Sequence, residues 1–225
     1  METRICTTGL GLLAVSLVLV APACGGSTPG TRPDDMSAAE HEHAAGEHRA
    51  MSEQHEGRYD PSATDTREGR SGGARGGEPA WPVRTYNPTE GHHAEAERHA
   101  EHAAEHAAAG EALRQFEQAQ CQGFPPETRA SCPLMGTVAS VEDIDGGVRL
   151  HVTAGVPSEA VLDHMRCHLA FARSRRYEGM PHCALYQRGL DVRAGANGTV
   201  EIVAGDRTTV DTLRARVRAH VAGGD

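Results

Sequence analysis

Hydrophobic and polar positions follow two different regimes along the chain, and the change falls near residue 121. Beyond it, side chains alternate. Val138, Ser140 and Glu142 interleave with Thr137, Ala139, Val141 and Asp143. After Asp145-Gly146-Gly147, Val148, Leu150 and Val152 interleave with Arg149, His151 and Thr153. A period of two on both sides of an Asp-Gly turn predicts a β-hairpin. The period then lengthens. Val161, Met165, Leu169 and Ala172 recur at helical spacing behind Pro157-Ser158-Glu159, with Ser158 as the expected cap, and Gly179-Met180-Pro181 closes that helix. A second round repeats the order: Leu190, Val192 and Ala194, the turn Asn197-Gly198, then Val200, Ile202 and Ala204. Thr208-Thr209 leads into a helix with Val210, Leu213, Val217 and Val221 on one face. The two helices align weakly, Val161-x-x-His164-Met165-x-x-His168-Leu169 against Leu213-x-x-Arg216-Val217-x-x-His220-Val221. The expected fold class is α+β: a small four-stranded antiparallel sheet from a duplicated ββα unit, with two helices on one face.

Ahead of residue 121 the pattern is polar. Residues 90–119 are rich in Ala and Glu, follow Asn87-Pro88-Thr89 and stop at Gly123-Phe124-Pro125-Pro126. Those boundaries predict a long helix with Thr89 as N-cap. Residues 25–88 show no sustained apolar period, and Tyr59, Trp81 and Tyr86 stand alone among Gly, Ser, Pro and Thr clusters. They read as a disordered tether, with the arginine-glycine stretch 69–77 a flexible linker within it. A coil of that length spans very roughly 45 Å. The organisation is therefore a leader (1–23), a His-rich tether (24–88), an Ala/Glu/His helix (89–120) and an α+β domain (121–225).

Composition sharpens the division. Residues 25–120 contain only three Leu, Ile, Val or Phe residues, whereas 121–225 contain 23. A segment with under roughly 20% of these residues cannot offset its ordering entropy by burial. One globule spanning the whole chain is excluded, and a core of about 100 residues remains. The net charge of −9 sits in the polar half, and all 22 basic residues are Arg. An acidic chain of this kind is not expected to bind nucleic acid. No phosphate-cradling glycine loop or dinucleotide fingerprint occurs, the G-x-S-x-G match at Gly69–Gly73 lies in the linker and not between a strand and a helix, and no enzymatic role is expected.

The N-terminus indicates location. An apolar run over 10–21 is too short to span a hydrocarbon core about 30 Å thick, and it ends at Ala21-Pro22-Ala23-Cys24-Gly25-Gly26. This end resembles the lipobox of bacterial lipoproteins, with Ala23 at the small position and Cys24 as acceptor; Ala21 and Pro22 depart from the usual pattern. The resemblance implies a signal peptide, palmitate and diacylglycerol on Cys24, and a membrane partner reached through that lipid anchor. The location would be the cell envelope, at the outer membrane or the periplasmic face of the inner membrane. An ordinary secretory signal cut after Ala23 is the alternative; both place the chain in an oxidising compartment.

Candidate chemistry lies in histidine and cysteine. On the helix of 89–120, His92, Glu95, His99, His102 and His106 form one stripe at steps of three and four that continues into Ala109, Leu113 and Phe116. In the tether, His41, His48 and His55 lie seven apart, with Met51 on the same face if the segment becomes helical. Imidazole and carboxylate at these spacings suit Zn²⁺, Cu²⁺ or Ni²⁺. The leading expectation is binding or buffering of such an ion by an envelope protein; a structural or partner-binding module is the alternative. Cys121, Cys132, Cys167 and Cys183 read as two disulfides, preferably Cys121–Cys132 and Cys167–Cys183. The competing arrangement is a metal site from His164, Cys167, His168, His182 and Cys183, to which Cys132 can add a thiolate. His151 and His220 are expected to be surface or ordinary structural residues.

Overall fold

The structure is a computed structural model that describes residues 28–67 and 84–222. The leader, Cys24 and the linker 69–77 lie outside the described residues. Within them the chain is α+β, with five helices, a four-stranded antiparallel sheet and a two-stranded one.

The largest departure from expectation lies in the tether. A 19-residue helix, α1 (Ala38–Glu56), occupies its middle, and a short antiparallel pair, β1 (Asp65–Arg67) and β2 (Arg84–Tyr86), follows. Ser37 caps α1 through a reciprocal box: its hydroxyl accepts from the Glu40 N–H at 3.2 Å, while the Glu40 carboxylate accepts from the Ser37 N–H at 2.7 Å. The helix stands without large apolar residues because it has a partner. It packs along α2 (Glu90–Gln120), burying Ala38, His41 and Ala45 against a face that buries Ala96, Ala103, His106, Ala109 and Gly110. Thr89 precedes α2 as expected, although its side chain makes no capping hydrogen bond.

The C-terminal half of α2 joins the folded domain. Leu113 is buried, Glu117 bonds to Arg129 and Ser174, and the Arg173 guanidinium lies 5.1 Å above the Phe116 ring. A one-turn helix, α3 (Pro126–Arg129), leads into β3 (Val138–Ile144) and β4 (Gly147–Val152). Then come α4 (Ser158–Ser174), β5 (Leu190–Ala194), β6 (Val200–Ala204) and α5 (Arg207–Ala222). Pro157, not Ser158, is the residue that caps α4. The strands run in the order β3-β4-β6-β5, all antiparallel, so the second hairpin joins the first through its later strand. At the turn between β5 and β6, Asn197 and Gly198 have φ of 53° and 73°, the left-handed conformation that an Asn-Gly pair tolerates.

Val148, Leu150, Val192, Val200 and Ile202 form the sheet's buried face, and Val161, Met165, Phe171, Leu213 and Val217 of α4 and α5 complete one core with them. Across the opposite face, Glu142, Arg149, Glu201 and Arg193 stand in register, one per strand, and alternate in sign; Arg149 and Arg193 both bond to Glu201.

Candidate metal centres

Helices α1 and α2 are antiparallel, and both carry histidine at intervals of seven. The heptads meet. His41 faces His106, His48 faces His99 and His55 faces His92, with Nδ1···Nδ1 separations of 3.1, 3.0 and 3.2 Å. Small residues fill the layers between them. Gly110 lies against Ala38 and His41, and Ser52 donates to the Ala96 carbonyl at 2.9 Å. The sequence stripe is thus split. Three of its four histidines pair across the helix interface with His41, His48 and His55 instead of along one helix. His102 stands beside it, edge-on to His48 with ring centroids 5.2 Å apart. Glu95 turns away to pair with Arg98, and Met51 is exposed.

Hydrogen bonding fixes the protons at one end of this ladder. The His41 Nε2–H donates to the Arg32 carbonyl at 3.1 Å, since a carbonyl can only accept. In that tautomer its Nδ1 is an acceptor, and the His106 Nδ1–H donates to it. Burial, followed by neighbouring imidazoles, holds His106 and His48 below the ordinary histidine range.

The second centre lies between α4, α5 and two loops. The disulfides pair differently from expectation: Cys121 bonds to Cys167, because the end of α2 runs beside α4 with those Cα atoms 4.5 Å apart. Cys132 and Cys183 remain thiols, their Sγ atoms 3.1 Å apart. His168 approaches from α4 with Nε2 3.2 Å from the Cys183 sulfur. Its Nδ1–H donates to the Arg129 carbonyl at 2.9 Å, which leaves Nε2 as the free lone pair of the neutral ring. Burial lowers His168 to about 4, so the ring is neutral at pH 7. The hydrogen bond from Cys183 is the main cause that brings Cys132 down to about 6, and the same contact, with burial, pushes Cys183 up. Cys132, His168 and Cys183, whose ligand atoms all lie within 4.8 Å of one another, can hold a metal ion.

The expected five-residue site therefore dissolves. Cys167 is consumed by its disulfide, His182 is exposed, and His164 stacks on Phe124 while donating to the Thr128 carbonyl at 3.0 Å. Only His168 and Cys183 remain, joined by Cys132. His220, expected to be a surface or ordinary structural residue, sits in the last turn of α5, half-buried beside the Cys132 thiol, whose pKa it helps to lower. No periodicity reveals that neighbourhood, which arises only where α5 packs back on the loop.

No family model, curated protein or solved structure matches this chain. No described helix is long and apolar enough to cross a membrane.

Proposed function

We propose that the protein binds or buffers a divalent transition metal through the histidines facing each other across α1 and α2, and that it does so as an exported, lipid-anchored protein of the cell envelope. One observation carries the metal reading: three imidazole pairs with Nδ1 atoms 3.0–3.2 Å apart. Two imidazole nitrogens on one tetrahedral Zn²⁺, each about 2.0–2.1 Å from the ion, stand about 3.3–3.4 Å apart. An ion can therefore replace the proton shared by each pair with a movement of a few tenths of an ångström. At His41 and His106 this needs only that the His106 proton shift from Nδ1 to Nε2. Zn²⁺, Cu²⁺ and Ni²⁺ all accept such ligands. The lipid anchor rests on Ala23, Cys24 and the Gly-Gly-Ser sequence that follows them. The strand-strand-helix order, occurring twice, supports a duplicated ββα origin for the C-terminal domain.

Calorimetric titration of the full mature chain with Zn²⁺, Cu²⁺ and Ni²⁺ tests the proposal. Replacing one pair (His48→Leu with His99→Leu) should lower the stoichiometry by one ion at unchanged helicity. The reading fails if the variant binds as wild type does, or if wild type binds no tighter than a shuffled Ala/Glu/His peptide. The second reading, a purely structural seam in a partner-binding module, draws on the fact that the paired imidazoles already satisfy one another's hydrogen bonds. That seam would leave the metal stoichiometry unchanged by the paired substitution.

A further inference from the structure

Cys132, Cys183 and His168 supply three ligand atoms within 4.8 Å of one another, and a side chain from a different part of the fold lies beside the first of them. His220, beside Cys132, has an Nε2 atom shielded from solvent that finds no hydrogen-bond partner among the described residues. A sequestered ring nitrogen without a partner is uncommon, because burial without a hydrogen bond costs free energy. Here the ring lies beside the Cys132 thiol, one of the three clustered ligands. His168 already has the outer-shell support characteristic of metal-bound histidine: the Arg129 carbonyl holds its Nδ1–H and aims Nε2 at Cys183.

We propose that Cys132, Cys183, His168 and His220 form a closed, four-coordinate Cys₂His₂ site for Zn²⁺. Two thiolates balance the charge of the ion, and two thiolates with two imidazoles at tetrahedral corners are the donor set that zinc favours. Ligand atoms around zinc, at about 2.3 Å for sulfur and 2.0–2.1 Å for nitrogen, stand roughly 3.3–3.8 Å apart. The nitrogen–sulfur contact of 3.2 Å needs to open by about 0.3–0.4 Å, and the two sulfurs, 3.1 Å apart, by about 0.7 Å, to accept the ion. Closing them into a disulfide of about 2.05 Å requires a contraction of about 1 Å. Binding takes both cysteines as thiolates, releases to solvent the thiol proton that the pair still holds, and changes no oxidation state.

The ligands come from four segments: the loop after α3, α4, the loop before β5, and the end of α5. The ion would thus crosslink the whole C-terminal domain, pin the last turn of α5 and shield both thiols from oxidation. Buried Leu134 and Leu185 flank the two cysteines in sequence and belong to the core, which makes the site structural and without an open position for substrate. The centre is separate from the histidine ladder and does not rest on it.

The test uses the full mature chain, purified without chelator. Metal analysis should find zinc that survives the His48→Leu/His99→Leu substitution. Under non-reducing conditions Cys132 and Cys183 should resist alkylation until a chelator is added, then react as two thiols. Exchange of zinc for Co²⁺ should give the intense visible bands of tetrahedral cobalt together with thiolate-to-cobalt charge transfer. Cys183→Ser should abolish the charge-transfer band, and His220→Gln should weaken cobalt binding at least about 100-fold while far-UV circular dichroism stays native. Absence of charge transfer in the thiol-containing wild type, or a second disulfide between Cys132 and Cys183 in protein as isolated, overturns the site. A cobalt spectrum and affinity unaltered in His220→Gln overturn its fourth ligand.

Discussion

Lowering the pH of the metal-free protein from 7 to 4.5 separates its folded and unfolded states by their demand for one proton. In the unfolded chain the His168 imidazole protonates near pH 6.5. In the fold it stays neutral until about pH 4: burial removes the hydration of the charged ring, the Arg129 carbonyl offsets part of that loss, and His164 adds to it. A depressed pKa of this kind means the unfolded state takes the proton first. The stabilisation is therefore whole above pH 6.5 and is withdrawn as the pH falls towards 4. The interval from 6.5 to about 4 corresponds to about 3 kcal/mol of unfolding free energy, of which about 2 kcal/mol is gone by pH 5.

Urea unfolding in chelator, followed by circular dichroism at pH 7, 6, 5 and 4.5, measures this loss once other titrating groups are removed from the comparison. His168→Gln provides the reference. Its amide can still donate towards the Arg129 carbonyl, it carries no titratable proton, and distant histidines contribute equally to both proteins. Wild type should lose about 2 kcal/mol more than the variant between pH 7 and 5. A difference that stays level across that range would refute the argument, because it would mean that the folded imidazole protonates as readily as the free one.

Acid should also part α1 from α2. His48 and His106 are depressed chiefly by burial, so separated helices take up protons first, and the interface weakens as the pH falls below 6.5. Spin labels on the outer faces of the two helices should report longer distances at pH 5 than at pH 7.5 in chelator; unchanged distances refute it. The two interior glycines should respond oppositely. A Cβ at Gly46 meets nothing within 4 Å, and Gly46→Ala should add up to about 1 kcal/mol. A Cβ at Gly110 falls 3.2 Å from both the Ala38 carbonyl and the His41 Cβ, and the bulkier Gly110→Val should cost about 1–3 kcal/mol in thermal unfolding. Removing the disulfide with Cys121→Ser opens a loop with a sequence separation of 46, which should cost about 4 kcal/mol in urea unfolding.

The C-terminal elements were legible because their core residues are large and periodic. Val148, Leu150, Val192, Val200 and Ile202 announce strands by period two, and Leu213 and Val217 announce a helix. Strand order was not legible, because nothing in either hairpin states which of its strands will meet the other hairpin. The cysteines were misread for a related reason. Proximity in sequence favoured Cys121 with Cys132, whereas helix packing brings Cys121 to Cys167 across 46 positions and leaves Cys132 to meet Cys183. His220 joins them through the packing of α5, which involves no local signal at all.

Helix α1 was hidden by a hydrophobicity criterion that its interface does not satisfy. The seam consists of Ala, Gly, Ser and His, none of which registers as apolar in a count of Leu, Ile, Val and Phe. Two signals were nevertheless present: Ser37-Ala38-Ala39-Glu40 spells a capping box, and His41, His48 and His55 match the seven-residue spacing of His92, His99 and His106. Equal heptads restrict the antiparallel register, since a slip of three or four residues would set imidazole against methyl in each layer. They do not choose among slips of seven, which preserve the pairing everywhere except at the ends. That choice falls to positions unlike their heptad relatives. Sliding Ala103 into the place of Gly110 would thrust a Cβ to 3.2 Å from the Ala38 carbonyl and the His41 side chain. Metal bound between like pairs would still reward a register slipped by seven at two of its three layers, so a single glycine and the Leu113 packing beyond it help to determine which histidines meet.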